Sequence, residues 1–260
     1  MLGRPSAQLA GQGLHAITGG LTLPMAPRFE ELAWHETPMG LLTLRRRVDP
    51  LLKVDVYEVK LGDEFLMSSL FTKAEVELAR LSLAAVGDAE LDVVIGGLGL
   101  GYTAQAVLGD PRVRSLLVVE ALDEVIDWHE RELLPDTAGL AADARLQLAQ
   151  ASFFDLVDAD SGLDPNAPAR HFHAILVDID HSPRHFLHPS HATFYTPSGL
   201  RRLARHLHRG GVFGLWSNDP PDADFMSVLN EVFSQAEAHV VSFANPFTRT
   251  DSTNTVYVGW

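Results

Sequence analysis

The chain has 260 residues, of which 46% are hydrophobic and 21% charged, with a net charge of −14 and no cysteine. This is an ordinary globular composition, long enough for one large domain or one domain with a small appendage. The acidic balance argues against DNA or RNA as a partner, because phosphate binding needs a basic face, and it favours a cationic substrate. Without cysteine there is no disulfide, thiolate nucleophile or cysteine-held metal.

No run of about 18 apolar residues offers a membrane span. Met1 to Pro27 lacks the basic end and continuous apolar core of a secretory leader, so the cytoplasm is the expected location. Residues 1–30 are rich in Gly, Ala, Pro and Gln with weak periodicity, and are expected to be poorly ordered. Residues 31–87 read as a small β-rich domain with a linker helix. Leu41 to Arg45, Lys53 to Lys60 and Glu64 to Met67 carry β-formers between the turn signals Asp49-Pro50 and Gly62-Asp63. They predict an antiparallel sheet of two to four strands. Thr72 is placed to cap a helix from Lys73 to about Ala85, with Val76, Leu78, Ala79, Leu81 and Leu83 on one buried face.

Residues 88–260 alternate strand and helix signals. The organising stretch is Leu91-Asp-Val-Val-Ile-Gly-Gly-Leu-Gly-Leu-Gly101, an apolar β-branched run that ends in glycine, as a buried parallel strand does before a tight turn. Gly97, Gly99 and Gly101 form G-x-G-x-G, which lets the backbone take φ > 0 and lets a ligand approach closely. A helix from Tyr102 to Leu108 would aim free N–H groups into the turn. A second strand, Ser115 to Glu120, ends on an acid about 20 positions after the glycines, where a carboxylate can accept both ribose hydroxyls. A dinucleotide site needs G-x-G-x-x-G, so the spacing here favours an S-adenosylmethionine type of site, with no pyrophosphate to cradle.

Further along, the pattern predicts a helix over Asp123 to Leu133, strands over Arg145 to Ala149 and Ala174 to Asp178, and a helix from Pro197 to about His208 that Arg209-Gly210-Gly211 ends. A strand over Val212 to Trp216, a helix over Asp224 to Ala236, and a closing antiparallel pair over Val240 to Phe243 and Thr255 to Val258 complete it. The fold class is α/β: a Rossmann-like, seven-stranded, doubly wound sheet with a small N-terminal β-rich segment. Ligands bind beyond the carboxyl ends of such strands. Gly97 to Gly101, Glu120, Ala151-Ser152, Asp178-Ile-Asp180 and Ser217-Asn218-Asp219 collect at that rim. Asp178 and Asp180 are the candidate catalytic residues, able to take a proton from an amine and stabilise the developing cation. Gly97, Gly99, Gly101, Glu120, Ala151 and Ser152 are the candidate cofactor contacts. His181, His185, His188 and His191 follow. Pro183 and Pro189 break any shared helical face, so they read as a gating loop with one histidine as acid or base rather than a metal site.

Over roughly Leu61 to Trp260 the chain resembles the spermidine synthase (polyamine aminopropyltransferase) family, within the class I S-adenosylmethionine-dependent transferase fold. Leu91 to Gly97 resembles its first strand and glycine turn, and Val118-Val-Glu-Ala-Leu-Asp-Glu-Val-Ile its ribose-binding acid and helix start. Phe172-His-Ala-Ile-Leu-Val-Asp178 resembles the strand that delivers the catalytic aspartate. Phe194-Tyr195-Thr196 and Arg209-Gly-Gly-Val resemble its later helix and strand. The resemblance implies S-adenosylmethionine or its decarboxylated form as co-substrate, transfer of an aminopropyl or methyl group to a small amine, and a homodimer. The chain departs at four places. Gly99 stands where G-G-G-D-G-G has aspartate, and Ala151-Ser152 where the third strand ends in G-D. Met67 to Lys73 replaces D-E-x-x-Y-H-E, and Asp178-Ile-Asp-His-Ser-Pro183 replaces D-S-S-D-P. A methyltransferase for another small molecule and a non-catalytic nucleoside-binding homologue therefore stay open.

Overall fold

Two β-sheets frame the molecule, and the computed structural model describes residues 28–87, 90–159 and 161–260. Most of the segment expected to be poorly ordered, 1–30, lies outside the described residues. The first sheet is an antiparallel meander of β1 (Phe29–Thr37), β2 (Gly40–Val48), β3 (Asp55–Leu61) and β4 (Glu64–Ser68). Leu42 and Leu44 alternate along β2 and are fully buried, as a half-buried strand requires. Arg45 and Arg47 both reach Glu58 at 2.7 Å, which ties β2 to β3.

The second sheet is built from β5 (Leu91–Gly96), β6 (Val113–Glu120), β7 (Leu146–Gln150), β8 (Phe172–Val177), β9 (Leu207–Ser217), β10 (Ala236–Asn245) and β11 (Thr250–Gly259), in the order β10-β11-β9-β8-β5-β6-β7. β5 to β9 run parallel, and β11 and β10 close the edge antiparallel. The helices are α1 (Lys73–Ala84), α2 (Tyr102–Leu108), α3 (Asp123–Glu130), α4 (Phe153–Asp158), α5 (Pro197–Ala204) and α6 (Ala223–Val232). Every residue of β5 is buried. Its side chains alternate between faces. Val93 and Ile95 join a core with Leu78 and Leu83 of α1 and Ala104 of α2, and Val94 joins a second core with Leu200 of α5 and Leu229 of α6. This is the expected doubly wound α/β sheet. Among the described residues, no helix is long and apolar enough to cross a membrane.

The chain steps outward from β5 to β6 and β7, then returns to pair β8 with the other side of β5. Strand order reverses there, so a crevice opens beyond the carboxyl ends of β5 and β8. Some boundaries differ from the sequence pattern. Helix α5 stops at Ala204, and Arg209-Gly210-Gly211 lies inside β9 instead of ending the helix. The cause is tertiary: Leu207 already pairs with Phe172 of β8, and an irregularity in that ladder accommodates the glycines. Helix α6 stops at Val232 because β10 begins at Ala236, opposite Gly259 of β11.

Candidate functional site

The reversal point brings backbone against backbone. The N–H of Asp178 donates to the Gly96 carbonyl at 2.9 Å. Gly97 has φ +93°, and a Cβ on it would stand 2.2 Å from the Asp178 carbonyl oxygen. Only glycine fits this position. Beside it lies a cavity of about 480 Å³. One wall comes from the meander (Leu42, Val59, Phe65, Met67), and the floor from Gly97, Gly99, Glu120, Ser152 and Asp178 on the strand ends. The space is that of a small-molecule site, largely apolar with a few convergent polar groups.

Glu120 borders this cavity and also clasps the glycine turn. Its carboxylate accepts the N–H of Leu98 and that of Leu122, each at 2.9 Å. Burial raises its pKa, and the surrounding backbone N–H groups oppose the rise. The N–H groups of Ala121 and Gly99 also face this carboxylate, so Glu120 fixes the backbone of the turn at the edge of the cavity.

Asp178 borders the cavity on the β8 side. The Thr103 hydroxyl, from the first turn of α2, donates to it at 2.6 Å. Burial pushes Asp178 up to about 6, against the Thr103 bond. The pattern of the sequence did not mark its neighbour. Glu75, in the first turn of α1, is buried, borders the same cavity, and has one carboxylate oxygen with no hydrogen-bond partner. Burial first, and the Asp178 charge second, push Glu75 up to about 8. Near neutral pH the pair therefore shares one proton and one negative charge. A carboxyl on the polar-looking run Lys73-Ala-Glu75 reads as solvated surface. Only the packing of α1 over the strand ends reveals it. Trp216 also borders the cavity, and its indole N–H has no partner among the described residues.

Asp180 does not join Asp178. Its side chain is fully buried outside the cavity, where it accepts the Leu187 N–H at 2.7 Å, His191 Nδ1 at 2.8 Å and the Tyr195 hydroxyl at 2.9 Å. The expectation that it shares an amine with Asp178 is corrected: a residue two positions past a strand end has left the strand's facing, and three donors hold this one. Gly101 and Ala151 do not border the cavity either. Gly101 instead opens α2 with φ +87°, at a point where a Cβ would strike His129. Ser152 borders the cavity and caps α4 by accepting the Asp155 N–H. His181, His188 and His191 border the cavity, the last two with ring centroids 5.9 Å apart, but each of the four loop histidines has its own polar partner. His181 meets Glu64, His185 meets Ser182 and Asp219, His188 meets Ser190, and His191 meets Asp180. Among the described residues, ligand atoms close enough to share an ion occur at Asp92, His173 and His208. These lie at the opposite ends of the strands, where Asp92 already pairs with Arg114 and Arg170.

No family model matches the sequence. No curated protein matches it either. Solved structures do match in fold. The chain aligns with spermidine synthase from Thermotoga maritima at 16% identity and TM-score 0.65, covering 88% of this chain and 72% of that one. A spermidine synthase in complex with the transition-state analogue AdoDATO aligns at 16% identity and TM-score 0.64, covering 88% of this chain and 71% of that one. Human methyltransferase-like protein 13, in complex with SAH, aligns at 18% identity and TM-score 0.50, covering 72% of this chain and 78% of that one. At these identities the likeness is one of fold. The chain has the fold shared by spermidine synthases and class I methyltransferases.

Proposed function

We propose that this chain is a transferase that uses an adenosyl sulfonium co-substrate to alkylate a small amine, and that it takes the decarboxylated form of S-adenosylmethionine in preference to the parent. The observation that carries the reading is the buried pair Glu75 and Asp178 at the cavity floor, with one Glu75 oxygen unpartnered. A single negative charge in an enclosed space is a seat for one ammonium group. No Lys or Arg borders the cavity among the described residues, so the carboxylate of the parent co-substrate would lack a counter-charge.

The residues present fit the nucleoside. Glu120 is placed to hold the ribose, and the Gly97 to Gly99 backbone can approach it closely. When bound, the sulfonium supplies an electrophilic carbon. The chain does the rest. Glu75 and Asp178 hold the amine, Asp178 accepts its proton, and the apolar walls limit access of water. Proton transfer to a group whose pKa is about 6 is well matched to neutral pH.

Calorimetric titration with S-adenosylmethionine, its decarboxylated form and methylthioadenosine tests the proposal. Tighter binding of the decarboxylated form is expected. Preference for the parent would move the reading to methyl transfer, and silence from all three would end the transferase reading. Asp178→Asn should leave nucleoside affinity within a few-fold while lowering turnover on the active amine by about 10²–10⁴.

A further inference from the structure

The rim of the second sheet has a direction. From β8 through β5 and β6 to β7 it presents Asp178, then Gly97 to Gly99, then Glu120, then Ser152 and Phe154. Three strand intervals of about 4.8 Å separate the first position from the last, roughly 14 Å. A ribose on Glu120 with its reactive arm toward Asp178 therefore directs its base outward, to the end of β7. His191 stands there. Its ring lies against Phe154, with centroids 4.0 Å apart and planes tilted by 31°.

His191 is fixed by more than this contact. Its Nδ1 meets Asp180, a carboxylate whose side chain is fully buried and which already accepts from Leu187 and Tyr195. A carboxylate can only accept, so Nδ1 carries the hydrogen, and in the neutral ring Nε2 is left with a lone pair. His191 borders the cavity and its Nδ1 is taken by Asp180, which leaves Nε2 as the ring nitrogen able to meet a ligand. Nothing among the described residues satisfies that atom. Of the other polar groups at this end, Ser152 is engaged in capping α4, and His188, its ring 5.9 Å from that of His191, meets Ser190 through Nδ1.

We propose that Asp180 and His191 read the base of the bound nucleoside, with His191 Nε2 accepting an N–H from the base edge. The pair selects a 6-aminopurine, which offers a donor there, over a 6-oxopurine, which offers an acceptor against a lone pair. This rests on the nucleoside site proposed above. It makes His191 a specificity-determining residue and gives the buried Asp180 a role in recognition through the tautomer it imposes.

The test titrates the full chain with 5′-methylthioadenosine and 5′-methylthioinosine at pH 8, above the ordinary imidazole range. The adenosine compound should bind at least about tenfold more tightly, the scale of one mispaired buried polar contact. His191→Phe keeps a ring on Phe154 but has no lone pair, and should bring the two affinities within about twofold. Glu120→Ala should weaken both compounds alike. Nitrogen-15 NMR of the wild-type imidazole should show the Nδ1–H tautomer. Equal affinities in the wild type, an unchanged ratio in His191→Phe, or an Nε2–H tautomer would each overturn the proposal. If His191→Phe does not fold, the wild-type ratio and tautomer still decide. Absence of heat with both nucleosides would instead remove the nucleoside site itself, and this inference with it.

Discussion

At the scale of single residues, the acidic pair makes a pH prediction. Glu75 is raised from 4.5 to about 8 and Asp178 from 3.8 to about 6. Between those values the folded chain keeps protons that the unfolded chain releases. Stability contributed by the neutral forms is therefore full in acid and is lost as pH rises, for Asp178 up to about 6 and for Glu75 up to about 8. Glu75→Gln removes the upper limb. Calorimetric melting should show the variant several degrees more stable than the parent at pH 9 and nearly equal to it at pH 5. Equal melting temperatures at pH 9 would mean that Glu75 is not held neutral. Glu120 and Asp178 were legible in the sequence because each ends an apolar run. Glu75 was not, and His191 was legible only as one of four gating-loop histidines, because a titratable residue on a short helix or loop shows its burial only after the elements pack.

Among the elements, the turn after β5 is the most constrained. Gly97 has positive φ and no room for a Cβ, whereas Gly139, at φ +78°, has nothing within 4 Å of that position. Gly139→Ala should cost about 1 kcal/mol, the backbone term alone. Gly97→Ala adds a collision with the Asp178 backbone and should cost at least ~2 kcal/mol more, with nucleoside binding lost. Chemical denaturation of both variants checks the contrast. The strand-glycine-helix signature and the strand-end acids were readable because period and punctuation are local. The start of β9 was misread for the converse reason: the ladder from Phe172 to Leu207 is a tertiary pairing, and it overrides the local turn signal of Gly210-Gly211.

At the scale of the whole molecule, the two sheets are joined across the site. Met67 of β4 accepts the Leu100 N–H through sulfur at 3.3 Å, and its sulfur would lie 2.6 Å from a Cβ on Gly99. The absence of a side chain at Gly99 and the thioether from the other sheet are complementary. Gly99→Asp alone should destabilise the fold, because Met67 must leave its seat. Met67→Ala in the same chain should recover much of that loss. A double-mutant cycle by denaturant melting should show a coupling of about 1 kcal/mol or more between the two positions. Strict additivity would show that Met67 yields freely. No periodicity in the sequence pairs these residues, since they stand in different sheets.

Trp216 gives the molecule an optical property of its own. Of the four tryptophans, Trp34 is exposed, Trp128 is buried with the core, Trp260 ends the chain, and Trp216 alone among the described residues borders the cavity. An indole with an unsatisfied N–H beside an apolar space emits according to whatever fills that space. Ligand entry should shift or quench the intrinsic emission without any label. Trp216→Phe should silence the signal while Trp128 and Trp34 continue to report an intact fold, so a spectrometer can screen candidate amines and nucleosides before any turnover assay exists.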